Sequence, residues 1–131
     1  MDARALRSLC LGFPGAYEDF PFGPEASVFK VRAPSGGDER RGRMFALSVL
    51  DSAPLSVALK CDPVLAVQLR AVHPEITGAW HMSKKHWSDV RLDGDLTDED
   101  VRDLVEDSYD LVVAGLPRAQ REALGWSGLA R

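Results

Sequence analysis

Three β-patterned stretches follow one another with no helical pattern between them: ASVFKV at residues 26–31, MFALSVL at 44–50 and PLSVALK at 54–60. In the first, Val28 and Lys30 alternate against Phe29 and Val31, the period of two that sends successive side chains to opposite faces of a strand. RAPSGGDERRGR, residues 32–43, is rich in Gly, Pro and charge and reads as a hairpin connection. Strands that come in runs, and do not alternate one by one with helices, predict an antiparallel sheet. The remaining elements must then cover one face of it.

Helical spacing supplies that cover in three places. Leu6, Leu9, Cys10 and Phe13 recur as one helix face before FPG stops the chain. Pro63 sits at the first turn of a second helix with Asp62 as its N-cap, and Leu65, Val67, Leu69 and Val72 give it apolar surface until His73-Pro74. A third helix is expected from about residue 97 to 116. Thr97 can cap it, Asp98, Glu99 and Asp100 complement the helix dipole, and Val101, Leu104, Val105, Ser108, Val112 and Leu116 form its inner stripe. Residues 17–22 read as a loop or short strand, and GAWHM and SDVRLDG as two further strands. The order helix, strands, helix, strands, helix predicts an α+β fold of two layers, with helices packed on one face of an antiparallel sheet. At 131 residues the expectation is a single domain.

Charge is unevenly placed. The net charge is −4, yet residues 93–110 hold nine acidic side chains against Arg102, so the rest of the chain is mildly basic. Most of the acid belongs to the solvated face of the third helix. No apolar run approaches the ~20 residues that span a bilayer, and MDARALRSLCLGF lacks the h-region and cleavage site of a signal peptide. A cytoplasmic protein is expected, in keeping with only two cysteines, Cys10 and Cys61, both read as small packing residues.

The densest chemistry lies in HMSKKHW, residues 81–87. With Ser83, Lys84 and Lys85 as a three-residue turn, His81 pairs with Trp87 and Met82 with His86. Trp80, Met82, His86, Val90 and Leu92 then share the apolar face, and His81, Trp87, Asp89 and Arg91 the other. His86 becomes a core histidine, and the exposed set is cationic and aromatic beside a dilysine tip. On that register His81 and His86 diverge, and no paired Cys or His spacing typical of zinc occurs, so no metal and no cofactor is expected. Neither a phosphate loop nor a nucleophile elbow is present. Glu18 beside Asp19 point apart on a strand, and Cys61 with a histidine base has no motif behind it. The expectation is a protein without catalytic activity.

PGAYEDFPFG, VFKV, MFAL, LSVALKCDP, HMSKKHW, VRLDGDL and SYDLVVAGLP occur in this order within a match that covers roughly residues 6–117. Together they resemble the MmcQ/YjbR family of small bacterial proteins. The resemblance implies a two-layer α+β fold similar to secretion-chaperone and CyaY-like folds, and a DNA-binding role through a double wing of hairpins. The chain departs from the pattern at residues 32–43, where a longer loop carries Arg32, Arg40, Arg41 and Arg43 beside Asp38 and Glu39.

Two functions follow. One is binding of duplex DNA through the phosphate backbone by a basic hairpin face comprising Lys30, Arg43, Lys60, Lys84, Lys85, Trp87 and Arg91. The other is a protein-interaction module that exposes aromatics such as Tyr17, Phe20, Phe22 and Trp87 to a protein partner.

Overall fold

The β-patterned stretches pair in sequence order. The computed structural model describes residues 1–33 and 42–126, so Asp38, Glu39, Arg40 and Arg41 of the Arg-rich loop lie outside the described residues. The elements are α1 (Ala3–Leu11), β1 (Ala16–Asp19), β2 (Ser27–Val31), β3 (Arg43–Ser48), β4 (Ser56–Lys60), α2 (Pro63–Val72), β5 (Ile76–Gly78), β6 (Trp87–Arg91), α3 (Asp98–Ala114) and α4 (Arg118–Leu124). The six strands form one sheet in the order β1-β2-β3-β4-β6-β5, and every neighbouring pair is antiparallel. This is the expected α+β architecture.

One face of the sheet carries the core. Phe29, Val31, Phe45, Ala46, Val57, Leu59, Ile76 and Val90 meet Leu6 and Cys10 of α1 and Val101, Val105, Tyr109, Val112 and Val113 of α3. Burial pushes the Cys10 thiol up to about 12, consistent with a packing role. That Phe45 and its neighbour Ala46 both point inward follows from a bulge. Phe29 lies opposite Ala46 but Lys30 lies opposite Met44, leaving Phe45 as the extra residue. A bulge strands backbone groups, and Ser108 of α3 satisfies them: its hydroxyl donates to Phe45 O at 2.6 Å and accepts from Lys60 N–H at 2.9 Å. The polar residue in the α3 stripe therefore ties helix to sheet.

The helix starts follow the local chemistry. Asp62 accepts from Val64 and Leu65 N–H at the head of α2, and Thr97 with Asp100 forms a reciprocal capping box on α3. The helix ends do not all follow. α3 stops at Ala114, before Gly115 and Pro117, and a separate α4 follows that the periodicity did not predict. Its one deep anchor is Leu124, too little for a periodic signal.

α2 overturns the expected apolar surface. Val67 and Val72 face outward at 68% and 72% exposure, as does Val64 at 69%, while Ala66 is the buried position. The helix turns its Ala66, Leu69 and Arg70 side inward, which leaves the other valines on the opposite side.

Candidate nucleic-acid interface

Every inward residue on a strand implies an outward neighbour, and the register sorts them. One outward row runs Asp19, Val28, Leu47, Ala58, Asp89, Thr77 across the whole sheet. Nearer one end stand Tyr17, Lys30 and Met44, and at the same end of the strands Lys60 lies opposite Trp87. Ser56 and Arg91 pair at the other end. This face, away from the helices, has an apolar centre and polar, cationic ends.

Four of the sequence-assigned residues, Lys30, Lys60, Trp87 and Arg91, share this face. Arg43 does not join them. It lies opposite the inward Val31, because the bulge shifts the alternation by one, and its guanidinium donates to Gly115 O at the end of α3 at 2.8 Å. The charges on the face are also not equivalent. Lys30 is bound to Asp19 at 2.8 Å and Arg91 to Asp93 at 3.0 Å. The Lys30 hydrogen bond, with a second from Phe20 N–H, holds the Asp19 carboxyl below its usual range. Lys60, Lys84 and Lys85 have no carboxylate within ion-pair distance among the described residues.

Lys84 and Lys85 are exposed in the β5–β6 connection, which differs from the expected three-residue hairpin. Gly78 lies opposite Ser88, two residues out of the predicted register, and residues 79–86 form the loop. Inside it Ser83 O accepts from His86 N–H at 3.1 Å and from Trp87 N–H at 2.9 Å, closing one helix-like turn around the two lysines. The turn consumes residues that a tight hairpin would pair. As a result His86 is exposed and not in the core, and Trp87 is half-buried. Trp80, assigned to the apolar side by alternation, is 68% exposed. It stacks on His81, with ring centroids 4.6 Å apart and planes 14° from parallel. Trp80 N–H donates to the Asp89 carboxylate, whose pKa is nonetheless raised because partial burial outweighs that bond and the nearby His81.

The corner of the sheet thus gathers Lys60, Lys84, Lys85, His81, His86 and two indoles. Sequence reasoning missed Trp80 as the exposed indole. No local signal marks it, since the bonds that shape the loop are made by main-chain atoms and by Arg70. Cys61 borders this region, where burial and then Asp107 and Asp62 push its thiol up, keeping it protonated at neutral pH. Among the described residues no group of three or more His, Cys, Asp or Glu could hold a metal ion. No helix among them is long and apolar enough to cross a membrane.

Fold and site together define an α+β protein with helices packed on one face of an antiparallel sheet and a cationic, aromatic corner at one end of it. The chain belongs to the YjbR family, whose model matches residues 11–111. It is 34% identical over 127 residues to the uncharacterized protein YbdF of Escherichia coli O157:H7, covering 93% of this chain and 96% of that one. It is 33% identical over 125 residues to the uncharacterized protein YjbR of Escherichia coli K12, covering 95% and 98%. The crystal structure of Deinococcus radiodurans DR2400, with domain DUF419, superposes with a TM-score of 0.85 at 39% identity, over 96% of this chain and 89% of that one. A Pseudomonas syringae protein follows with a TM-score of 0.68 at 27% identity, over 86% and 99%.

Proposed function

We propose that this protein binds DNA through the sheet corner formed by Lys60, Lys84, Lys85, Trp80 and Trp87, with Lys30 and Arg91 flanking it. The observation that carries this reading is the cluster of three lysines with no carboxylate partner among the described residues, set beside an exposed indole. Unpaired lysines gain most from phosphate, because no existing ion pair has to break and condensed counterions are released. The β5–β6 loop serves as one wing. The acidic run of α3, with Asp103 and Glu106, repels the backbone of DNA, and its Asp107, beside Cys61, marks where the cationic corner ends. Fluorescence anisotropy with a labelled duplex tests the reading: binding at about 50 mM salt, weakening linearly on a logarithmic scale with a slope near 0.9 per contacted phosphate, supports it.

Asp89 gives a second handle. It lies in the row beside Trp87 and repels phosphate when charged. Asp89→Asn keeps an acceptor for Trp80 N–H and should tighten binding about two- to fivefold at neutral pH. Since the Asp89 carboxyl titrates above the usual carboxylate range, lowering the pH protonates it in the wild type and narrows the gap to the variant. Equal affinities at neutral pH would place the DNA path away from Asp89.

The outward side of α2 favours one other reading. Val64, Val67 and Val72 offer apolar surface that DNA would not use and a protein partner could.

A further inference from the structure

The lysine-bearing loop is held from outside by one side chain. Arg70 projects from the inner side of α2, and its Nη2 donates to Lys84 O at 2.6 Å, to Trp87 O at 3.0 Å and to Ser88 Oγ at 3.0 Å. These three acceptors bracket the turn that presents Lys84 and Lys85. Trp87 O also accepts from Ala79 N–H at 3.0 Å, so the same carbonyl closes the loop at its base. The Arg70 Nε is buried with no hydrogen-bond partner. A half-buried guanidinium whose Nε–H is left unspent gives up hydration, and what it obtains in return is the fixed loop. The grip is on main-chain atoms and on Ser88, so it is independent of which side chains the loop carries.

We infer that Arg70 is the positioning residue of the DNA-binding corner, presetting the loop so that Lys84 and Lys85 meet phosphate without an ordering cost at the moment of binding. The inference rests on the DNA reading of that corner. Arg70 acts through the loop and not on phosphate itself: its Nη2 is committed to Lys84 O, Trp87 O and Ser88 Oγ. A preordered loop binds more tightly than a mobile one with the same contacts, and the difference appears in affinity and not in the number of ions released.

Two measurements on the full chain separate this from other roles. Amide hydrogen exchange on the free protein reads the loop, and anisotropy with a labelled duplex at several salt concentrations reads affinity and slope. Arg70→Met keeps the apolar stem and removes the donors, and Arg70→Lys restores an ammonium with three. Expected for Arg70→Met are faster exchange at Ala79, His86 and Trp87, the hydrogen-bonded amides of the loop, with unchanged exchange in α3, about tenfold weaker DNA binding, and the wild-type salt slope. Arg70→Lys should recover part of both losses. A slope shallower by about 0.9 would mean that Arg70 contacts phosphate directly and overturns the inference. Faster loop exchange with wild-type affinity would also overturn it, as would unchanged exchange. If wild-type protein binds no duplex at all, the DNA reading fails and the positioning role fails with it. The exchange data then still decide whether Arg70 holds the loop.

Discussion

Tyr109→Ala should destabilise the protein by about 3–5 kcal/mol, the cost of emptying a fully enclosed aromatic site. Tyr109 has no solvent exposure. Its ring stacks on Phe13 at 4.7 Å and meets Phe45 edge-on at 5.3 Å and Trp126 at 5.0 Å. Those contacts join the α1–β1 connection, the bulge in β3, α3 and the segment after α4, so the cavity left by Ala has walls on four separate segments and cannot collapse by moving one of them. The hydroxyl donates to Pro14 O, and burial, with Asp110 nearby, pushes its pKa up to about 12. It therefore stays a donor throughout the neutral range. Tyr109→Phe removes only that bond and should cost about 1 kcal/mol. Urea melts of the two variants against wild type measure both. A loss for Tyr109→Ala no greater than that for Tyr109→Phe would show that the aromatic cluster is not what fastens α3 to the sheet.

What the sequence disclosed and what it withheld divide along the range of the interactions involved. The starts of α2 and α3 were legible because Asp62, Pro63, Thr97 and Asp100 act on backbone groups two or three residues away. The antiparallel order was legible because strands follow one another without a helix. The bulge was not, because MFAL is apolar throughout and alternation has nothing to mark. Losing it misplaced Arg43, which the single extra residue turns to the helix side. The outward valines of α2 were misread because their burial depends on where the helix docks, which periodicity does not contain. The loop at 79–86 was misread for a reason that lies outside the loop. Its shape depends on Arg70, 14 residues before Lys84. Of the candidate site, the lysines and Trp87 could be named from the sequence, while the exposure of Trp80 and the separation of free from paired cations could not.

The double substitution Lys84→Glu, Lys85→Glu should leave the fold intact and remove measurable duplex binding at low salt. Fold and binding separate here because everything that shapes the turn is main chain. Ser83 O holds His86 and Trp87 N–H, and Arg70 grips Lys84 through its carbonyl. The aliphatic stem of Lys84 lies over Gly78, and Glu retains the first two carbons of that stem. Circular dichroism should therefore be unchanged. Binding changes because two cations without carboxylate partners among the described residues become two anions, which converts attraction for phosphate into repulsion. The neutral pair Lys84→Gln, Lys85→Gln isolates the contacts: weaker binding, with a salt slope shallower by about one to two phosphates at roughly 0.9 each. Trp80→Ala should weaken binding less, since an exposed indole adds contact area but no ion release. Wild-type slope and affinity in the Gln pair would remove these lysines from the interface. No wild-type binding at about 50 mM salt, where even non-specific binders gain affinity, would remove DNA. The exposed valines of α2 would then mark the surface to test, and the two lysines would be the solubilising tip of a hairpin.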